Sequence, residues 1–160
     1  MKYLTIIRHA DAPFLNINQD DFDRNLSEKG FKQSKQAGQK LAKHDVEFDL
    51  MLSSSAIRAI NTCQMIALEL KYNIKEIKLI NNLYYADRNG LSETISNTKK
   101  DITSLAIVAH NPAVHKICEE ITKSKINNFT TCSLIHICLK IDSWNNWVSS
   151  DKKVLFTFKG

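Results

Sequence analysis

The chain has only four glycines, Gly30, Gly38, Gly90 and Gly160, and they stand far apart. No glycine-rich phosphate loop can be built from them, and neither G-x-x-x-x-G-K-[ST] nor G-x-G-x-x-G occurs. Nucleotide-binding folds that rely on such loops therefore lose their signature. Cysteine is equally sparse. Cys63, Cys118, Cys132 and Cys138 form no C-x-x-C pair and have no companion histidine at zinc spacing. None opens a C-x₅-R loop; Cys63, for instance, is followed by Leu68 and Glu69 at the two relevant positions. The four are read as reduced thiols acting as small hydrophobes. There is no aspartate cluster of the kind that holds two metal ions. The opening apolar run, Tyr3-Leu4-Thr5-Ile6-Ile7, is too short for a signal segment or a membrane span, and Arg8 ends it. The expectation is a cytoplasmic protein with no membrane partner. No basic stripe with interleaved aromatics is present, so nucleic acid is not an expected partner either.

What is there suits one soluble domain over residues 1–160 with a single core. Hydrophobic residues are 43% and charged residues 24%. Lys plus Arg number 22 against 17 for Asp plus Glu, a formal charge of +5 that favours an anionic ligand. Short β-rich runs alternate with longer helical ones, which predicts an α/β domain around a mainly parallel sheet. Strands are expected over Lys2–Ile7, Phe48–Leu52, Ile77–Ile80, Leu105–Ala109, Ile135–Ile141 and Val154–Phe158, the last two pairing as a hairpin. Ser27 is placed to cap a helix whose buried face would include Phe31, Gly38, Leu41 and Ala42. A second helix is expected from Ala56 to Leu70, and a short one over Leu91–Asn97. Asn111 reads as the cap of a further helix with Pro112 at its first position. Ile135, Ile137, Leu139 and Ile141 alternate with His136, Cys138 and Lys140, which predicts a strand with one apolar and one polar face.

Chemistry concentrates at three points: Arg8-His9-Ala10, Ser53-Ser54-Ser55-Ala56-Ile57-Arg58 and His110-Asn111-Pro112. Each follows a predicted strand. In open α/β sheets ligands bind at the carboxyl ends of the strands. Two guanidiniums, two imidazoles, several hydroxyls and the free N–H groups of helix starts describe a pocket for phosphate. With no suitable cysteine and no metal cluster, histidine remains as nucleophile. A neutral imidazole attacks phosphorus and forms a phosphoramidate that water can cleave. Neighbouring arginines disfavour the imidazolium, so the groups that bind phosphate also favour the reactive form.

These residues resemble a known family. Arg8-His9-Ala10 after a strand is similar to the R-H-G/A signature of the histidine phosphatase (phosphoglycerate mutase-like) superfamily. Leu26-Ser27-Glu28-Lys29-Gly30 followed by Gln36-Ala37 resembles its L-[ST]-x-x-G…Q-A segment. Ser54, Arg58-Ala59 and Thr62 resemble its S-x-x-x-R-A-x-x-T helix start, and Val108 to Pro112 its second-histidine motif. The matches keep the family's order from Tyr3 to about Ile121. The short chain, Asp11-Ala12 after the signature, Arg24-Asn25-Leu26-Ser27 and Leu83-Tyr84-Tyr85-Ala86 resemble the SixA-type phosphohistidine phosphatases. Ala10, Asn25 and Ser55 depart from the commoner glycine, proline and proline.

The resemblance implies a three-layer α/β/α sandwich around a mostly parallel mixed sheet. It makes His9 the nucleophile and Arg8, Arg58 and His110 the phosphate-binding shell, with Arg24, Ser54 and Asp11 as further substrate contacts. No cofactor or metal is implied. The partner would be a phosphohistidine-bearing phosphotransfer or histidine-kinase domain, or a small phosphorylated substrate. Larger members carry a glutamate acid after the third strand, and Asn81 to Arg88 offers no match; Asp11 and Asp87 are the nearest carboxyl alternatives. An alkoxide needs a proton to leave, whereas phosphohistidine can depart already protonated. A site without an acid is therefore expected to prefer P–N over P–O bonds. A phosphatase of small esters, a phosphomutase and a non-catalytic phospho-ligand module stay open at this level. His44, His115 and His136 are read as structural, Tyr84 and Tyr85 as loop packing, and Trp144 and Trp147 as anchors of the last hairpin.

Overall fold

The computed structural model describes residues 1–14 and 18–160. Part of the loop expected from Asp11 to Leu26, positions 15–17, thus lies outside the described residues. The elements are β1 (Lys2–Arg8), α1 (Glu28–Lys43), β2 (Leu50–Ser54), α2 (Ile57–Glu69), β3 (Lys78–Ile80), α3 (Asn82–Tyr85), α4 (Arg88–Ser96), β4 (Ser104–Ala109), α5 (Ala113–Thr122), β5 (Leu134–Leu139) and β6 (Lys152–Phe158). The strands form one sheet in the order β3-β2-β4-β1-β5-β6. β3, β2, β4 and β1 run parallel, and β5 and β6 are antiparallel additions.

Leu4, Ile6, Leu105, Ile107, Ile135 and Ile137 pack on one face with Leu83, Leu91, Ile95, Val114 and Ile117. Ile7, Ala106, Val108 and Leu134 pack on the other with Ala37, Leu41, Ala59, Cys63 and Ile66. The result is three layers, α1 and α2 on one side and α3 to α5 on the other. Strands covered on both faces read as continuous apolar runs, as β4 does. The chain leaving β1 turns to the first helical layer and the chain leaving adjacent β4 turns to the second. Their carboxyl ends mark the topological switch point at which such sheets bind ligands.

Several local expectations are corrected. α1 buries Gly30, Gln33, Ser34, Ala37, Gly38 and Leu41, while Phe31 and Ala42 are exposed. Small residues define this face because α1 lies close against α2: a Cβ on Gly38 would meet Glu69 Cβ at 2.7 Å. β2 runs two residues later than expected, so Ser53 and Ser54 are buried strand residues rather than part of a turn. The short helix begins at Arg88, capped by Asp87, whose Oδ1 accepts from Gly90 N at 2.9 Å. α5 begins at Ala113 with Pro112 flanking it; Asn111 turns its amide toward the Phe129 carbonyl at 3.3 Å. β5 is buried on both faces, because His136 meets Thr5 Oγ1 at 2.8 Å and packs on Phe156 of β6. Trp144 and Trp147 lie in the core and donate their indole N–H groups to Ile102 O and Ser92 O.

One contact ties α1 to the loop after β1. A Cβ at Gly30 would stand 2.2 Å from the Asp11 carbonyl oxygen, which itself accepts from Ser27 N at 3.0 Å. Only glycine allows this approach. Gly30→Ala is expected to destabilise the fold by about 1–3 kcal/mol, read as a lower urea midpoint at unchanged slope.

Candidate active site

Parallel pairing aligns Arg8 with Ala109. His9 and His110 therefore leave adjacent strands at one level, and His9 N donates to Ala109 O at 3.0 Å. Their rings lie 4.9 Å apart between centroids, tilted by 52°. β2 ends beside them with Ser54, whose Oγ lies 2.8 Å from His110 Nε2. Arg58, in the first turn of α2, completes the cluster. Its Nε donates to His9 Nε2 at 3.4 Å and its Nη2 to His110 Nδ1 at 3.5 Å. Thr62, one turn on, braces the parts: its hydroxyl accepts from Ala10 N at 2.9 Å and donates to Arg58 O at 2.7 Å.

Hydrogen bonding fixes both imidazoles. His9 Nδ1 lies 2.8 Å from Ala10 O, a pure acceptor, so Nδ1 carries the proton and the Nε2 lone pair faces Arg58. His110 accepts from Arg58 at Nδ1, so its proton sits on Nε2 and goes to Ser54. Burial, ahead of the charges of Arg58, Arg8 and Arg24, lowers the His9 pKa to about 4, against an opposing hydrogen bond to Ala10. Burial first, then His9 and Arg58, lowers His110 to about 3. Both rings are neutral at physiological pH. The arginines thus assist burial rather than dominate it.

The remaining sequence-predicted residues divide. Arg8 donates from Nη1 to Phe129 O at 2.8 Å, while its buried Nε–H has no partner among the described residues. Arg24 approaches the cluster through Asp21, with Nε 2.9 Å and Nη2 2.8 Å from Oδ1, and also reaches the Ala12 carbonyl. Asp11 gives its carboxylate to the Ser27 hydroxyl at 2.6 Å, at the start of α1. Asp87 is occupied as the cap of α4.

Two participants were not read from the sequence. Asp21 places Oδ2 2.9 Å from Arg58 Nη2 and 2.7 Å from the Tyr84 hydroxyl, and its backbone carbonyl accepts from Arg58 Nη1. Burial raises its pKa, but hydrogen bonds from Tyr84 and Arg58, with the Arg58 charge, bring it down to about 2. Tyr84 stands edge-on to His110 at 5.6 Å and to Phe22 at 5.0 Å, so it lines the site, whereas Tyr85 is exposed. Asp21 lies in an acidic loop with no periodic pattern and carried no signal; Tyr84 stood within the Leu83-Tyr84-Tyr85-Ala86 match but was read as loop packing, and the structure turns it to the site.

Among the described residues no group of three or more His, Cys, Asp or Glu is arranged to hold a metal ion. No helix there is long and apolar enough to cross a membrane. A cavity of about 580 Å³ opens at the other end of the sheet, beside Tyr3 and Ser104. Its carboxylates Asp45, Glu47 and Asp49 oppose a phosphoryl group.

Residues 4–104 match the family model of the Histidine phosphatase superfamily (branch 1). The chain is 31% identical over 83 residues to the serine/threonine-protein phosphatase Pgam5, mitochondrial, of Drosophila ananassae, covering 52% of this chain and 27% of that protein. It is 34% identical over 101 residues to a phosphoglycerate mutase of Schizosaccharomyces pombe, covering 60% and 48%. The chain thus spans half or less of these two relatives. In fold it is similar to a SixA from Agrobacterium tumefaciens, with TM-score 0.84 at 22% identity over 99% of this chain and 98% of that one. It is also similar to the protein histidine phosphatase SixA complexed with tungstate, with TM-score 0.79 at 21% identity over 98% and 96%.

Burial and the nearby arginines yield a measurable expectation. In ¹⁵N–¹H spectra, the ring nitrogens of His9 should keep the neutral Nδ1–H pattern from pH 8 down to pH 5. Protonation should reach its midpoint near pH 4, not near the ordinary value of about 6.5.

Proposed function

The chain belongs to the histidine phosphatase superfamily, and from that premise we propose that it hydrolyses phosphohistidine on a protein, a phosphotransfer or histidine-kinase domain, with His9 as covalent carrier. The observation that carries this reading is the neutral His9 ring, its Nε2 lone pair directed at the Arg58 guanidinium beside His110.

Nε2 attacks phosphorus, the new P–N bond forms, and the bond to the substrate nitrogen breaks with its electron pair passing to the departing imidazole. Water then attacks phosphorus, the His9–P bond breaks, and Nε2 recovers its lone pair as phosphate leaves. Arg58 and Arg8 neutralise the phosphoryl oxygens throughout. A bound dianion also favours protonation of His110, whose Nδ1 would then donate to it.

The choice of P–N over P–O rests on the carboxyl groups. Asp11 is engaged by Ser27, Asp87 caps α4, and Asp21 is held ionised by Tyr84 and two arginines. None is set to give a proton to an alkoxide, whereas an imidazole leaving group needs none from the protein. The SixA likeness in fold agrees with this reading. The sequence similarity to phosphoglycerate mutase favours a second reading, a phosphatase of small phosphate esters.

One assay separates them. Wild-type protein is expected to release phosphate from a phosphohistidine-bearing phosphotransfer domain and to be slow on 3-phosphoglycerate. His9→Ala should lower the release about a thousandfold or more. Comparable rates on both substrates would favour the ester reading. Tight binding of the phosphoprotein without any release would leave a binding module.

A further inference from the structure

We propose that Asp21 is a built-in competitor for the phosphoryl pocket, a carboxylate that an incoming phosphoryl group must displace from Arg58. The inference rests on reading the His9–Arg58–His110 cluster as phosphoryl-binding.

Four side-chain donors converge on the Asp21 carboxylate. Oδ2 takes Arg58 Nη2 at 2.9 Å and the Tyr84 hydroxyl at 2.7 Å; Oδ1 takes Arg24 Nε at 2.9 Å and Nη2 at 2.8 Å. Two guanidiniums and a hydroxyl around two oxygens are the surroundings that a phosphoryl group also seeks. Arg58 is shared: the guanidinium that holds the carboxylate also reaches His9 Nε2 and His110 Nδ1. A phosphorus atom in position for attack by Nε2 brings its oxygens to the same guanidinium. The carboxylate and the phosphoryl group thus compete for one set of donors, and their negative charges repel.

The placement of Asp21 permits exchange. Its side chain is 41% exposed, against 5% for Arg58. It belongs to no helix or strand. Its backbone carbonyl also accepts from Arg58 Nη1, and Phe22 O accepts from Ile57 N at 3.2 Å. The segment therefore has backbone anchors on α2 that do not involve the carboxylate. A dianion with three oxygens can take over the donors; a monoanionic carboxylate from solution would only replace like with like. Asp21 in this role keeps common weak anions out of the pocket.

A strut that merely orients Arg58 and Arg24 would make the same contacts, but the two roles predict opposite effects. Removing a strut weakens anion binding, whereas removing a competitor strengthens it. The test is calorimetric titration of wild type, Asp21→Asn and Asp21→Ala with tungstate, thermal melting serving as the check on folding. Both variants are expected to bind tungstate about tenfold more tightly than wild type, the scale of one lost charged competitor. Inhibition by inorganic phosphate should rise in parallel. Unchanged or weaker binding by a folded variant would overturn the proposal and assign Asp21 a purely structural part. Absence of tungstate binding in wild type and variants alike would instead overturn the phosphoryl-pocket reading, and this inference with it.

Discussion

The in-register parallel pairing of β1 with β4 is the constraint on which the site depends. Arg8 opposes Ala109, so the next residue on each strand is a histidine, and the two imidazoles emerge side by side. β2 pairs with the other edge of β4, Ser53 opposite Val108, which brings Ser54 and the start of α2 to the same level. A one-residue slip in either ladder would send alternate side chains to the wrong face. Burial on both faces guards against it: Leu105 to Val108 are fully buried, and any slip would exchange their partners in two separate cores.

At the carboxyl ends of the strands the charge balance centres on a buried cation. Arg58, 4% exposed, reaches both histidines and Asp21. A buried guanidinium needs compensation. Neutral imidazoles supply acceptors but no charge, so the compensating anion comes from Asp21. This explains why a carboxylate is found within a cluster otherwise suited to holding negative ligands. Both rings stay neutral for a different reason: burial penalises an imidazolium, and the Arg58 charge beside them adds to that penalty.

The parts legible in the sequence were those that obey a local rule. β1 and β4 are short apolar runs, Ser27 is a cap, and the three polar motifs sit at strand ends. The hidden parts depend on packing that no local rule encodes. Phe31 looked like a core residue by its type, yet the close approach of α1 to α2 and to the Asp11 carbonyl selects glycine, serine and alanine for the contact. His136 looked like a surface residue by alternation, yet β6 and Thr5 cover it. Ser53 and Ser54 looked like a turn because hydroxyl residues favour turns; their burial next to His110 outweighs that preference. Asp21 was invisible because its partners, Arg24, Arg58 and Tyr84, come from three different segments.

The distances along the chain between those partners bear on how the molecule folds. The contact of Arg58 with His9 spans 49 residues, that of Arg58 with His110 spans 52, and that of Tyr84 with Asp21 spans 63. Closing loops of this size costs entropy before any contact repays it, and such topologies fold slowly. No fragment ending before β4 contains the second histidine or the central strand that aligns the first. During synthesis the chain therefore lacks the complete cluster until its fourth strand and His110 have been made.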